Sequence, residues 1–319
     1  MIIEAAPVAG YTDQAFRRVL IKCGAEVVYT EMVSATALFH GSQKTLELLN
    51  SDFDAKSPID GERVKTVVQL FGKVPEHFAF AIKSGHLDKF DEININMGCP
   101  APKIVRNGEG CALMKNPGLA RQIIEACVSV ADKPVTVKFR LGFTEPSHHG
   151  PKELGERKEA CLQQLVQFAK MCEDAGASKL IVHGRYASQG YSGVADWEQI
   201  AKVVETVNIP VLANGDVADP ASARRCIEVT GAAGIMLARA LFGAPWRIAL
   251  RCIPPFAEIK EIVRFHVNTV LELCGEEGFR EMKKHLLHYC DSLGVAKDVK
   301  RHVAVSKDFG EALGLMNLT

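Results

Sequence analysis

Residues 91–105 read DEININMGCPAPKIV. The first six form a short isoleucine-rich run that stops at the corner Gly98-Cys99-Pro100. Such runs, bounded by glycine and proline, read as strands, and continuous apolar ones as strands buried on both faces in a parallel sheet. Seven more recur, at 2–8, 27–33, 65–71, 134–140, 179–183, 210–214 and 233–239. Helical periodicity separates most of them, at 13–23, 75–84, 117–131, 156–175, 196–207 and 219–229, and the stretch 34–50 holds a short helical run. Asn116-Pro117 and Asp219-Pro220 read as an N-cap followed by a first-turn proline. Eight strands alternating with helices point to a parallel βα architecture, either a doubly wound sheet or a (β/α)8 barrel. No G-x-G-x-x-G follows a strand and no P-loop is present. Eight units in about 245 residues match the size of a barrel. The sequence therefore predicts an α/β chain with a (β/α)8 TIM barrel over 1–253.

After Pro254-Pro255 the pattern changes. EIKEIVRFHVNTVLELCG (258–275) is amphipathic and stops at Gly275, GFREMKKHLLHYCDSLG (278–294) reads as a second helix, and 297–316 suggests one or two more. A small all-helical C-terminal domain over 254–319 is expected. Lys+Arg and Asp+Glu are both 38, which argues against a wholly basic nucleic-acid protein but allows a local basic patch. Ten cysteines occur without a C-x-x-C pair or zinc-type spacing. The opening MIIEAAPVAG lacks the pattern of a signal peptide, and no apolar run approaches the roughly 20 residues of a membrane span. A cytoplasmic chain with no membrane partner is expected.

In a barrel the C-terminal strand ends form the active face. Polar residues expected there are Gln69, Asn96, Cys99, Lys138, Arg140, His183, Arg185, Asn214-Gly215-Asp216 and Arg239. The loops after strands seven and eight read either as a phosphate cradle or as a tight Asn-Gly turn beside a solvated arginine. Lys138 either faces the interior, where it needs an anion or electron-rich ring, or snorkels outward. His183 reads as a structural strand-end histidine or a site residue. Cys99 has its direction set by Gly98 and Pro100, and a thiol of ordinary pKa about 8.5 is a competent general acid at neutral pH. Cys111, in the glycine-rich stretch RNGEGCALM, is a rival, and Gly108 and Gly110 suggest a lid.

Taken in order, APVAGYTDQAFRR (6–18), VVQLFG (67–72), EININMGCPAPKIVRNGEGCALM (92–114), PVTVKFRLG (134–142), IVHGRYASQGYSGVADW (181–197), VLANGDV (211–217) and GIMLARALFGAPW (234–246) resemble the tRNA-dihydrouridine synthase family. FREMKKHLLHY (279–289) is similar to the signature of that family's helical domain. The resemblance covers nearly the whole chain and implies a barrel that binds FMN, NADPH as reductant, and tRNA as substrate. It implies backbone contact with the flavin by Pro7, Val8 and Ala9, and ring contacts by Gln69 and Lys138. It places His183 near the flavin, and Asn214, Gly215, Asp216, Ala238 and Arg239 on ribityl and phosphate. Asn96 is implied to orient a uracil, with Arg185 a further substrate contact, and Cys99 to donate a proton to C5 while hydride reaches C6. Arg280, Lys283, Lys284 and His288 share a broad face of the second C-terminal helix and read as phosphate contacts, or as a solvated face, given Glu281 and Asp291 nearby.

The chain departs from the family pattern in places. Val8 stands where methionine is usual, Ala238 where glycine is usual, and Tyr186-Ala187 where threonine and arginine are common. The loop 143–158 is long and carries His148-His149, which read as metal ligands or as solvated side chains. Two other readings are a dihydroorotate dehydrogenase-like flavoprotein, whose corner is typically Ser-Cys-Pro-Asn, and a catalytically silent tRNA-binding protein.

Overall fold

The computed structural model describes residues 1–146 and 151–318, so the His148-His149 pair lies outside the described residues. Eight parallel strands carry the fold: β1 (Ile2–Ala5), β2 (Val27–Ser34), β3 (Lys65–Phe71), β4 (Glu92–Met97), β5 (Val135–Gly142), β6 (Leu180–Tyr186), β7 (Val211–Asn214) and β8 (Gly234–Leu237). The hydrogen-bonded order is β1-β8-β7-β6-β5-β4-β3-β2. This ladder curls until its two ends meet, and there the Tyr29 hydroxyl of β2 donates to Glu4 Oε2 of β1 at 2.5 Å. The result is the expected barrel. β1 stops at Ala5 rather than Val8 because Pro7 has no N–H for a ladder. The chain turns instead, with Tyr11 N and Thr12 N donating to the Val8 carbonyl.

Several helices of the shell start where a side chain satisfies one of their first N–H groups. Asp13 Oδ1 accepts from Phe16 N, Asp196 from Gln199 N, and Asp219 from Ser222 N. Each such cap is worth about 1 kcal/mol. The stretch 34–50 forms two short helices, Ala35–Phe39 and Gln43–Glu47. Outward-facing strand residues such as Leu70, Ile93, Ile95 and Phe139 are fully buried against the shell, each such side chain contributing roughly 1.5–3 kcal/mol.

The barrel interior is layered. Its apolar layer holds Ala6, Tyr29, Val67, Ile181, Leu212 and Met236. At its N-terminal end Lys179 Nζ sits between Glu4 (2.7 Å) and Glu92 (2.8 Å). Desolvation there pushes the Glu4 carboxyl upward against the pull of Lys179. Beyond the barrel lie the helices Phe256–Cys274, Phe279–Ser292, Lys297–Val305 and Phe309–Leu315. They pack on the first barrel helix, Gln14–Lys22, through Phe16 against the rings of His266 and His285, and through Arg18–Glu272 at 2.8 Å. A single buried cluster runs from the barrel shell into these helices.

Candidate active site

A pocket of about 720 Å³ opens at the C-terminal ends of the strands. That volume lies within the range of small-molecule and cofactor sites. Part of its lining is apolar: Ala6, Pro7, Val8 and Ala9 after β1, with Met236 and Ala238 of the β8 end. In a ring of eight strands, β4 lies across from β8. The pocket's opposite wall is therefore the β4 corner, with Asn96 and Cys99.

The corner is held from three directions. Asn96 Oδ1 accepts from Gly98 N (3.1 Å) and Cys99 N (3.0 Å), and Arg140 Nε donates to Gly98 O (2.9 Å). From below, Cys111 N donates to Cys99 O at 3.1 Å. Gly110, at φ +60°, makes this approach possible: a Cβ there would lie 2.7 Å from Cys99 O and 2.8 Å from Ile104 Cγ2. The glycine-rich segment thus backs the corner, and Gly110 serves a close approach. It also separates the two candidate thiols. Cys111 is fully buried, and burial pushes its pKa up to about 11. Cys99 is half-buried and lines the pocket.

Between the two walls stand Gln69, Lys138 and Asn214. Gln69 Oε1 accepts from Asn96 Nδ2 at 2.8 Å. Lys138 faces inward and donates to Asn214 Oδ1 at 3.0 Å, which decides against the snorkelling alternative. Desolvation, then repulsion from Arg140, draws its ammonium down to about 7, while Cys99 opposes this. His183 is pulled down to about 2 by burial and by Lys138, Arg140, Arg185 and Arg239 around it. It is therefore neutral, and its Nε2 accepts from Arg185 Nη1 at 3.4 Å.

The β7 loop is built to expose backbone. Gly215, at φ +117°, has no room for a side chain, since a Cβ would meet Ala195 Cβ at 2.9 Å and His183 Cδ2 at 3.1 Å. Asp216 takes φ +58° and receives both Arg185 Nη2 (2.7 Å) and Ala195 N (2.7 Å). Burial pushes its carboxyl up, but these donors outweigh that and hold it below the usual range. Arg239 is half-exposed at the rim, 3.5 Å from Asp216. Ala238 sits at φ −125°, so a side chain costs no left-handed strain at the position where the family usually has glycine. Tyr186 and Ala187 are buried away from the pocket, with the Tyr186 hydroxyl on Gln199.

Two further residues shape the mouth: Arg140, expected at the end of strand five, and Tyr191, which the sequence did not single out. Arg140 clasps the backbone carbonyls of Gly98, Tyr186 and Gly190. Tyr191 lies exposed over the pocket, with the Arg239 and Arg140 guanidinium groups 5.1 and 5.7 Å from its ring centre. An aromatic between Gly190 and Gly193 was the available signal. The helical residues divide. Arg280 is exposed. Lys283 Nζ donates to Ser306 O at 2.6 Å, Lys284 pairs with Glu281 at 2.5 Å beside Gly10 and the Tyr11 ring, and His288 Nε2 lies 3.3 Å from the Tyr11 hydroxyl. These three hold the helix to its neighbours and to the loop after β1. Among the described residues no cluster of His, Cys, Asp and Glu is arranged to hold a metal ion.

A family model described as dihydrouridine synthase matches residues 4–318. A probable tRNA-dihydrouridine synthase of Rhodobacter capsulatus is 37% identical over 298 residues, covering 90% of this chain and 85% of that protein. A tRNA-dihydrouridine synthase B of Klebsiella pneumoniae is 32% identical, covering 97% and 92%. Among solved structures, histamine dehydrogenase from Rhizobium sp. 4-9 superposes with a TM-score of 0.55 at 14% identity, covering 84% of this chain and 48% of that one. The last likeness concerns the barrel fold alone.

Proposed function

The chain belongs to the dihydrouridine synthase family, and from that membership we propose that it reduces the C5–C6 double bond of uridines in tRNA, with FMN as cofactor and NADPH as reductant. The observation that carries the proposal is the half-buried thiol of Cys99 on the pocket wall that faces the apolar strip after β1 and β8. The donor set fits a flavin mononucleotide. An apolar strip (Pro7, Val8, Ala9) suits a flat ring, Gln69 and Lys138 offer donors beside it, and Asn214, Gly215, Asp216, Ala238 and Arg239 line the rim, where the half-exposed Arg239 is held only loosely, 3.5 Å from Asp216.

Bound there, the flavin would supply the hydride to C6 of the uracil ring. The residues of this chain do the remainder. Asn96 orients the base while its Oδ1 fixes the corner. Cys99 holds the proton for C5 on the opposite face. Lys138, poised near neutrality and drawn toward Asn214, keeps positive charge beside the ring without a permanent buried ion. Neutral His183 accepts from Arg185 and so leaves its other nitrogen a donor. A uridine must leave its stack to reach this pocket. We assign the RNA contacts to the helical domain 254–319, with Arg280 as the outward cation and Lys283, Lys284 and His288 as the residues that set its helix, and Arg185 to the substrate end of β6. No helix among the described residues is long and apolar enough to cross a membrane. The cytoplasmic location we propose rests instead on the tRNA substrate that the relatives' names give. The test is Cys99→Ala: the purified variant should stay yellow and form less than about 1% of the parent's dihydrouridine, the loss expected when a general acid is removed. Full dihydrouridine formation would remove Cys99 from the chemistry.

A further inference from the structure

A chain of side-chain hydrogen bonds runs up the barrel interior to the Cys99 corner. Thr136 Oγ1 donates to Glu92 Oε1 at 2.6 Å. Asn94 Nδ2 donates to Thr136 Oγ1 at 2.9 Å. Gln69 Nε2 donates to Asn94 Oδ1 at 2.7 Å, and Asn96 Nδ2 to Gln69 Oε1 at 2.8 Å. The last acceptor, Asn96 Oδ1, receives Gly98 N and Cys99 N. From Glu92 to Asn96 the path climbs four residues of β4, about 13 Å.

Both ends dictate its polarity. Backbone N–H groups at the top can only donate, so Asn96 must turn its oxygen to them and its NH₂ to Gln69. Gln69 must then accept with Oε1 and donate with Nε2, and Asn94 must accept from Gln69 and donate to Thr136. The Thr136 proton is left for Glu92, whose carboxylate can only accept and is itself held by Lys179 at 2.8 Å. Reversing any one amide places two donors or two acceptors face to face in a buried site. Thr136, Asn94 and Gln69 are 1%, 0% and 1% exposed, so no bulk water can repair such a clash. Asn94, Thr136 and Glu92 do not line the pocket.

We propose that Thr136, Asn94 and Glu92 are positioning residues that fix the amide orientation of Gln69 and Asn96, and through them the Cys99 corner. The proposal rests on the reading of Cys99 as the proton donor. It sets which face Gln69 offers the ligand: the second hydrogen of Nε2 and the second lone pair of Oε1 are committed to fixed directions before anything binds.

The discriminating pair is Thr136→Val, which keeps the shape and removes the hydroxyl, against Thr136→Ser, which keeps the hydroxyl. With tRNA and NADPH, Thr136→Val should lower kcat about tenfold, ~1.4 kcal/mol on the barrier, with KM for tRNA unchanged within about twofold, and Thr136→Ser should recover most of kcat. On the protein as purified, peptide-mapped alkylation of Cys99 should accelerate at least about threefold in Thr136→Val, on the scale of the released hydrogen-bond restraint, while exposed Cys252 and Cys274 serve as internal references. Glu92→Gln, which makes the lower end both donor and acceptor, should show the same alkylation change should Thr136→Val fail to fold. Parent-like kcat and alkylation in Thr136→Val, or equal losses in the Val and Ser variants, would overturn the proposal. If the parent itself forms no dihydrouridine, the enzymatic reading fails, whereas the alkylation rates still judge the positioning chain.

Discussion

Gly108 and Gly110 lie two residues apart, and both take positive φ, +77° and +60°. Their surroundings differ. A Cβ on Gly108 would meet only Lys73 Cδ, at 3.7 Å, an ordinary contact with the end of a flexible side chain. A Cβ on Gly110 would lie 2.7 Å from Cys99 O and 3.2 Å from Cys99 Cβ. Gly108→Ala therefore bears the left-handed strain alone, about 1–2 kcal/mol, offset in part by about 0.4–1 kcal/mol from a stiffer unfolded chain. Gly110→Ala bears that and must also open the gap from 2.7 Å to an ordinary 3.4 Å, about 0.7 Å of backbone movement at the corner. Misplacement near 1 Å at a reacting group costs up to about 10²-fold in rate. Single-turnover dihydrouridine formation should thus fall roughly 10- to 100-fold in Gly110→Ala and stay within about twofold of the parent in Gly108→Ala. Thermal melts should show a loss of about 1 kcal/mol in Gly108→Ala and a larger one in Gly110→Ala. Equal activity in the two variants would refute the claim that Gly110 is needed for close approach to Cys99, because the backbone and Cβ of Cys99 crowd Gly110 alone; its other close neighbour, Ile104 Cγ2 at 2.8 Å, is the tip of a side chain away from the pocket lining.

Other outcomes follow from the same geometry. Cys111→Ala should retain turnover and lose about 1 kcal/mol of stability, the scale of a small core truncation; loss of activity at unchanged stability would reopen its claim as the acid. Lys138 has a folded pKa near 7, below its ordinary 10.5, so between these values the unfolded chain binds more protons and stability rises with pH. In the flavin-free protein Lys138→Met should be more stable than the parent at pH 6, with the gap closing toward pH 10, and a gap independent of pH would contradict the buried ammonium. His285 is buried with both ring nitrogens unpartnered, and burial holds its pKa well below 6.5. The parent should therefore lose stability as pH falls below about 6.5, where the unfolded imidazole takes a proton, and His285→Leu should flatten that loss in melts between pH 5 and 7. Arg280→Glu should lower tRNA affinity and reduce its salt slope by about 1 without changing the melt, whereas Lys283→Met, which frees Ser306 O, should lower the melting point.

The barrel was legible in the residues because its strands are local apolar runs punctuated by glycine and proline, and those features need no partner to be read. The same holds for Asn116 and Asp219, each read as an N-cap before a proline and each found accepting from the first turn of the helix that follows. The candidate site was legible as a set of strand-end polar residues, since a parallel barrel sends every strand's C-terminal end to one face. The choice among them was not local. Two thiols twelve residues apart read alike until Gly110 brought the Cys111 amide under the Cys99 carbonyl and buried one of them. Helical spacing put Arg280, Lys283, Lys284 and His288 on one broad face, but spacing does not say what packs on a face. Docking against Tyr11 and Ser306 engaged three of the four and left Arg280 exposed. Tyr191 lay among small residues with no period to mark it, and only the loop's return over the mouth put it beside Arg140 and Arg239.

For this protein the amino-acid sequence by itself determined the order of strands and helices, the face on which the candidate site opens, and the corner that carries Cys99. Those depend on backbone propensity and on alternation along a few residues. Tertiary structure alone decided which thiol is reachable, that Lys138 turns inward to Asn214, and that Gln69, Asn94 and Asn96 share one direction of hydrogen bonding. Each of these is a relation between strands far apart in sequence, and becomes definite only when the barrel closes and excludes the water that would otherwise satisfy every partner equally.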